Sequence, residues 1–298
     1  ENTLGLTAVT GTGEILHAGV RTTKGVVGYD LTRLIIGSEG TLAIITQATL
    51  KLTPLPETRR TLRASYSSVE AATQAIAKIM AQPIVPYALE FMDTNAIKVI
   101  QQFTPFDLPD STAAVLIIEL DGYADALPHH IKQLQQAASH SELLDWKVAV
   151  TKEQQDQLWQ IRKALSPSLR RLAPEKINED VVVPVSQLPK LISGLQQLSD
   201  KFAIPIVNFG HAGNGNIHVN LLYDSNNLEQ KQNTAPCLDA VFNLVLSLGG
   251  TLSGEHGIGL VKKPFVAREL DTVHLQLMRQ IKQQFDPNNI LNPGKLFD

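Results

Sequence analysis

Hydrophobic and polar positions divide the chain into a strand-rich beginning and a longer part in which strands and helices alternate. In residues 1–56, short β-branched runs lie beside glycine-rich turns, first in ENTLGLTAVTGTGEILHAG and then in RLIIGSEGTLAIITQATLKL. The first pattern predicts two strands around a turn, and the second predicts two more around GSEG at 37–40. Pro54 and Pro56 follow, and we interpret this proline pair as a domain boundary.

From residue 57 onwards the order of elements predicts an α+β domain in which helices cover one face of a sheet. AVLIIEL at 114–120 is typical of a buried strand, and VVVPV at 181–185 of an edge strand, because proline cannot donate to a central ladder. Thr151 and Gln154 predict a capping box at the start of a helix. The other predicted elements are strands at TLRASY, WKVAV, IPIVNFG and NIHVNLLYD, and helices at VEAATQAIAKIMAQ, ADALPHHIKQLQQAAS, SQLPKLISGLQQLSDKF (capped by Ser186), VFNLVLSLGG (ended by Gly249) and from Asp271 onwards.

The composition is that of an ordinary globular protein, since 43% of the 298 residues are apolar and 18% are charged. A net charge of −3 gives no electrostatic reason to expect a nucleic-acid partner. No apolar run approaches the roughly 18–20 residues that cross a bilayer. The single cysteine, Cys237, favours a reducing compartment. We therefore expect a cytoplasmic protein, free or peripheral to the inner face of a membrane. Because the sequence starts inside a predicted hairpin, we also expect it to be part of a longer protein.

Two histidines in the hairpin NFGHAGNGNIHVNLL are the first candidates for chemistry. Strand alternation places His218 and Asn220 on one face, and His211 ends the preceding strand. The small residues between them permit a tight turn, so we expect the two imidazoles to lie close together. Such a pair can begin a Zn²⁺ or Mn²⁺ site. The alternative is a pair of polar hairpin residues that bind each other or water.

Other candidate residues lie outside the hairpin. In LSGEHGIG at 252–259, Glu255 offers a third, carboxylate ligand that leaves open positions for a substrate, although a solvated turn explains this segment equally well. Arg162 could reach a pocket from a partly apolar helix face or form a surface ion pair. Ser166, one turn further on, precedes a proline and could instead cap a new helical segment. Lys176, in a polar connection, would ordinarily be exposed.

Four motifs, taken together, resemble FAD-linked oxidases of the vanillyl-alcohol-oxidase (PCMH) type, and cover nearly the whole chain in order. They are GYDLTRLIIGSEGTLAIITQATLKL (28–52), NFGHAGNGNIHVNLL (208–222), GGTLSGEHGIGLVKK (249–263) and FDPNNILNPGKLF (285–297). The similar subgroup comprises D-lactate dehydrogenases, glycolate oxidase flavin subunits and D-2-hydroxyglutarate dehydrogenases. The resemblance implies that 1–56 ends an FAD-binding domain. It also implies that 57–298 is a substrate, or cap, domain with an antiparallel sheet flanked by helices and a tail that returns to the flavin domain.

The resemblance also implies roles for individual residues. The implied metal ligands are His211, His218 and Glu255. The implied substrate contacts are Arg162, Ser166, Lys176, Asn220 and His256. The implied FAD contacts are Glu39, Gly40, Thr41, Ile44 and Asn292.

The function implied is FAD-dependent oxidation of a D-2-hydroxy acid to the 2-oxo acid. Zn²⁺ or Mn²⁺ would orient the substrate, Arg162 would bind its carboxylate, and His256 would act as general base while hydride passes to the flavin. The electron acceptor would be a quinone, a cytochrome or an electron-transfer flavoprotein, and the sequence allows a homodimer. Two alternatives stay open, which are a truncated metal-binding fragment without redox activity and a metallohydrolase.

Overall fold

The computed structural model describes residues 2–22, 24–103 and 106–297. It divides into two compact units, of which the first comprises Glu1–Leu55 with Glu255–Asp298 and the second Pro56–Gly254. The strands are β1 (Thr3–Thr10), β2 (Ile15–Gly19), β3 (Ala43–Leu50), β4 (Thr58–Tyr66), β5 (Ala88–Met92), β6 (Ala114–Gly122), β7 (Leu143–Ala149), β8 (Glu175–Val182), β9 (Ile206–His211) and β10 (Asn216–Tyr223). The helices are α1 (Leu31–Ile35), α2 (Val69–Met80), α3 (Thr94–Phe103), α4 (Leu127–Ala138), α5 (Lys152–Leu169), α6 (Leu188–Phe202), α7 (Leu228–Ser247), α8 (Val266–Glu269) and α9 (Thr272–Phe285).

The first unit contains a three-stranded antiparallel sheet in the order β2-β1-β3. The predicted hairpin at its start is confirmed. The predicted strand before GSEG is wrong, because this run forms α1, with the Asp30 side chain accepting a hydrogen bond from the N–H of Arg33 at 3.1 Å. Asp271 caps α9 in the same way, through the N–H of His274 at 2.8 Å, and the helix begins where the sequence predicts it.

The second unit contains a seven-stranded sheet in the order β7-β4-β6-β5-β9-β10-β8, in which every neighbouring pair is antiparallel. The edge position predicted for the proline-containing segment is confirmed, but the strand runs over Glu175–Val182 and ends before Pro184. An X-Pro sequence leaves the ladder at this point because proline has no N–H to donate. The strand also begins six residues earlier than the apolar run at 181–185 suggests.

Helices cover both faces of this sheet, whereas the sequence pattern predicts cover on one face. Side chains alternate along a strand, so Val115 and Ile117 of β6 share one face and Leu116 and Ile118 the other. The first two pack against α3 and α5, while α2 and α4 also contact β6. All four side chains are at most 1% exposed, which requires cover on both sides. The helix α3, which no pattern predicted, accounts for the difference.

Helix ends show where side-chain capping operates. The capping box of Thr151 and Gln154 is present at the start of α5, as predicted. The predicted cap at Ser186 is wrong, because Val185–Gln187 form a 3₁₀ turn and α6 begins without a side-chain cap. Gly249 follows α7 with a φ of +72°, consistent with the predicted stop. Within the described ranges, no helix is both long and apolar enough to cross a membrane.

Asp93 lies buried between the end of β5 and the start of α3. Its Oδ1 accepts a hydrogen bond from the N–H of Ala96 at 2.7 Å, and its Oδ2 accepts two from Asn208 at 2.9 Å. Burial raises the pKa of Asp93 to about 6, and these hydrogen bonds offset the effect only in part. The carboxyl group of Asp93 therefore joins the start of α3 to β9. Its burial makes the ionised form of the group less favourable in the folded state.

We expect the free energy of unfolding of the wild type, relative to Asp93→Asn, to increase by about 2 kcal/mol as the pH falls from about 7 to about 4.5. The folded-state pKa of Asp93, about 6, lies above its unfolded value, so the folded state holds the proton more tightly. The contribution is therefore most favourable at low pH and is lost as the pH rises through 6. Urea unfolding at both pH values measures it, and a pH-independent difference between the two proteins contradicts it.

Candidate functional site

The turn between β9 and β10 brings His211 and His218 together, as the hairpin pattern predicts. Residues 212–214 form one 3₁₀ turn, and Gly215 completes the turn with a φ of +74°. A ligand nitrogen of His211 and one of His218 lie within 4.8 Å of each other. The ring centroids are 5.4 Å apart, and the ring planes meet at 79°. His218 is 8% exposed and the side chain of His211 39% exposed, so the pair opens on one side only.

Strand register places further polar groups on the same sheet face. Glu90 of β5 stands opposite His211 of β9, and Asp180 of β8 stands opposite His218 of β10. Residues directly opposite in antiparallel strands project to the same side of a sheet. The face is that of α5, because Phe209 packs in the cluster formed with α3 and α5.

Glu90 connects His211 to Arg162. Its Oε1 lies 2.5 Å from Nδ1 of His211, and its Oε2 accepts a hydrogen bond from Nε of Arg162 at 2.6 Å. The guanidinium also lies 4.8 Å above the ring centroid of Phe209. Burial alone would raise the pKa of Glu90, but the hydrogen bond to His211 and the charge of Arg162 outweigh burial and lower it. The buried carboxylate is thus ionised and shared between two partners.

Asp180 fixes the chain that leads to Glu255. Its carboxylate accepts hydrogen bonds from the N–H of Gly254 at 3.0 Å and from the hydroxyl of Ser253 at 3.3 Å. A Cβ on Gly254 would lie 2.6 Å from the side-chain amide of Asn216, the first residue of β10. Glu255 follows by one peptide bond, so its Cα is about 3.8 Å from that of Gly254.

The remaining predicted substrate contacts differ in their positions. Asn220 is wholly buried, and its Nδ2 donates to the carbonyl groups of Val207 and His218 at 3.1 and 3.2 Å. Ser166 is exposed, one turn beyond Arg162. Lys176 stands opposite Leu222, four residues and about 13 Å along β8 from Asp180. Lys176 therefore lies away from the histidine pair. Partial burial lowers the pKa of Lys176.

Glu39 organises the predicted cofactor segment of the first unit. Its carboxylate accepts hydrogen bonds from the N–H groups of Ile258 and Gly259 at 2.6 and 2.8 Å, and its carbonyl group accepts one from Asn292 at 2.6 Å. The side chain therefore orders the loop that follows His256, which is itself exposed. The other predicted contacts are a buried Thr41, bonded to Ser38 at 2.6 Å, an exposed Ile44, and Gly40 with a φ of +72° and open space around its Cβ position.

Sequence reasoning missed Glu90 and Asp180. The available signal is an acidic residue next to apolar strand residues, since Glu90 lies within ALEFM at 88–92 and Asp180 directly precedes the apolar run VVV at 181–183. Such a carboxylate is buried only when it is paired, so its presence alone indicates a partner. The identity of the partner depends on which strands are neighbours, and that comes only from the sheet order.

We expect Gly215→Ala to destabilise the second unit more than Gly249→Ala. Both glycines have nearly the same φ, +74° and +72°, so both substitutions carry a left-handed backbone cost of about 1–2 kcal/mol. Only at Gly215 would the new Cβ lie 2.0 Å from a backbone atom, the carbonyl oxygen of Val183; the position at Gly249 is open. Urea unfolding compares the two. Equal losses of stability would show that the turn does not depend on this close approach.

The chain belongs to the family of FAD linked oxidases, whose C-terminal domain matches residues 55–296. It is 38% identical to the glycolate oxidase subunit GlcD of Bacillus subtilis (strain 168), over 99% of this chain and 63% of that protein. It is 34% identical to the mitochondrial D-lactate dehydrogenase [cytochrome] of Arabidopsis thaliana, over 99% of this chain and 52% of that protein. The chain thus spans between about half and two thirds of the length of these relatives.

Solved structures share the fold. p-Cresol methylhydroxylase with substrate bound gives a TM-score of 0.76 at 17% identity, over 99% of this chain and 64% of that one. 4-Ethylphenol oxidase from Gulosibacter chungangensis gives 0.71 at 16% identity, over 99% and 65%. These likenesses, with the family match, confirm the predicted fold class, an α+β fold of the PCMH type with an oxidase C-terminal domain whose antiparallel sheet is flanked by helices. The assignment of residues 1–56 to an FAD-binding domain stays a prediction.

Proposed function

We propose that this chain forms the substrate-binding and metal-binding part of an FAD-dependent enzyme that oxidises a D-2-hydroxy acid to the 2-oxo acid. The observation that carries the proposal is the group of His211, His218, Glu90 and Arg162 on one sheet face. Relatives named glycolate oxidase and D-lactate dehydrogenase support a small 2-hydroxy acid such as glycolate or lactate, and 2-hydroxyglutarate is a further candidate of the same chemical class.

The fold alone does not select this class of substrate, since a fold can host many activities. Two of the solved structures that share it are named for p-cresol and 4-ethylphenol, which carry no carboxylate. A histidine pair beside a largely buried arginine suits a different molecule, one with an anionic group next to a hydroxyl. The site residues, rather than the fold, therefore favour a 2-hydroxy acid.

The donor set fits a divalent metal ion held by His211 and His218, with Glu255 as the third ligand. A carboxylate can only accept, so Glu90 fixes the proton of His211 on Nδ1 and leaves the Nε2 lone pair as the ligand atom. The hydrogen bond from Gly254 to Asp180 supports Glu255 as the third ligand, because it fixes the backbone one residue before Glu255. A bound Zn²⁺ or Mn²⁺ would lower the pKa of a coordinated hydroxyl group.

Arg162 would bind the substrate carboxylate. Its Nε donates a hydrogen bond to Glu90. The two terminal nitrogens of the guanidinium carry further N–H donors, which could bind a second carboxylate. Phe209 beneath the guanidinium limits its motion. Asn220 would contact the substrate as a hydrogen-bond acceptor, because its buried Oδ1 accepts no hydrogen bond from the described residues. Ser166 and Lys176 could contact only a substrate that extends beyond Arg162.

His256 would take the hydroxyl proton as general base, since an imidazole titrates near neutral pH. FAD, when bound, would accept the C2 hydrogen with its electron pair. The open backbone at Gly40 and the exposed Ile44 fit a cofactor surface, with Glu39, Thr41 and Asn292 holding that segment in shape. The final acceptor, a quinone, a cytochrome or an electron-transfer flavoprotein, would be identified by supplying each one in turn.

We expect His211→Ala and His218→Ala each to weaken Zn²⁺ or Mn²⁺ binding by more than about 100-fold, because loss of a ligand must exceed the 10–100-fold effect of its outer partners. His274→Ala, an exposed histidine of α9, should bind like the wild type. Isothermal titration calorimetry on the chain without FAD or substrate measures the affinities. Absence of binding in the wild type would remove the metal from the proposal.

We expect His256→Ala to lower turnover of a D-2-hydroxy acid by about 10²–10⁴-fold, the usual contribution of a general base. The assay uses D-lactate, glycolate and D-2-hydroxyglutarate with added FAD and an artificial acceptor. It is run on the chain and on a version extended to the length of its relatives. Undiminished turnover would exclude His256 as the base.

The same assay separates the alternatives. A protein that binds metal but neither binds FAD nor shows its absorbance near 450 nm would be a non-redox metal-binding protein. Ester or amide hydrolysis without FAD would indicate a metallohydrolase. Family membership supports neither alternative, because the family is defined by its link to FAD.

A further inference from the structure

We propose that Glu90 is a positioning residue that couples the metal site to the carboxylate-binding arginine, so that metal affinity depends on Arg162 although Arg162 is not a ligand. The inference rests on the proposed function and deepens it. Glu90 touches neither the metal nor the substrate in this scheme. It acts through its two partners.

The geometry supports a shared carboxylate. The two oxygens of Glu90 divide between His211 and Arg162, at 2.5 and 2.6 Å. The Glu90 side chain is 5% exposed and that of Arg162 is 13% exposed, so water competes little for the hydrogen bond between them, whereas the side chain of His211 is 39% exposed. Glu90 is also fixed along its strand by the register with Ile117 on one side and His211 on the other. The carboxylate therefore cannot turn towards one partner without losing the other.

The two hydrogen bonds have different effects. The bond to Nδ1 sets the tautomer and ring orientation of His211, which determines where Nε2 points. The bond to Nε of Arg162 holds the plane of the guanidinium over Phe209. When the arginine moves, the carboxylate loses its second anchor and His211 loses its fixed orientation. By linkage, any ligand that changes Arg162 changes metal affinity, and the metal changes affinity for that ligand by the same factor.

The substitution Glu90→Gln tests whether the two hydrogen bonds of the carboxylate matter, or only the space that the side chain fills. Glu90→Gln keeps the shape, but its amide offers one acceptor oxygen and one donor nitrogen to two donors. Either His211 or Arg162 must then face another N–H group. In the molecules whose amide nitrogen faces His211, Nδ1 would lose its acceptor, and the ring proton would move to Nε2.

We expect Glu90→Gln to weaken Zn²⁺ binding by about 10–100-fold, the usual effect of a residue that orients a metal-binding histidine. Arg162→Gln should weaken it several-fold, and the double variant less than the product of the two, because both act through one carboxylate. The ring ¹⁵N shifts of His211, recorded by NMR without metal, should show the Nδ1–H form in the wild type and a shift towards the Nε2–H form in Glu90→Gln. A purely structural role would leave this tautomer unchanged.

Glu119→Gln is the matched control, since Glu119 lies on the same face of β6, opposite Ala88 of β5. It should leave both Zn²⁺ affinity and the His211 tautomer as in the wild type. Circular dichroism confirms folding, and Glu90→Asp, which keeps the charge but reaches less far, should give an intermediate affinity. Wild-type affinity in Glu90→Gln or in Arg162→Gln overturns the inference while leaving the metal site intact. Absence of Zn²⁺ binding in the wild type instead overturns the proposed metal site.

Discussion

A carboxylate buried in the middle of a sheet must find hydrogen-bond donors, and the candidate site is arranged around that requirement at Glu90. Its two oxygens accept from a histidine on the neighbouring strand and from an arginine on the covering helix. Each partner would be poorly oriented without it. The imidazole could adopt either tautomer, and the long arginine side chain could leave the sheet. One buried charge thus fixes two groups that would meet a substrate from different sides.

The register of four strands delivers these groups to one place. Glu90 faces His211 across β5 and β9, and Asp180 faces His218 across β8 and β10. A shift of one residue in any pair would send a side chain to the opposite face. The turn at Gly215 holds this register, since the backbone of Val183 leaves no space for a side chain there. The alignment of the two histidines with Glu90 and Asp180 therefore depends on the register of all four strands.

Most local features of this fold could be predicted from the sequence, whereas the strand neighbours that build the candidate site could not. The capping box at Thr151, the stop at Gly249 and the hairpin that pairs His211 with His218 depend on residues a few positions apart. The contact between Glu90 and His211 spans 121 positions, and only the strand order makes these residues neighbours. The same limit explains why the sequence pattern does not predict that α3 covers the second face of the sheet. The strand predicted before GSEG is instead the helix α1, because the cap by Asp30 outweighs the preference of β-branched residues in a segment of only five residues.

Stability does not explain why Glu90 and Arg162 occupy a sheet face that could hold apolar side chains. Removing two charges from water costs several kcal/mol per ion, and a buried pair of good geometry does little more than recover that cost. Apolar residues of the same volume would stabilise the unit as well or better. The pair contributes direction, because ionic hydrogen bonds hold an imidazole and a guanidinium at fixed angles while apolar contacts do not. A costly arrangement that mainly improves orientation is what a binding site for a small anionic molecule requires.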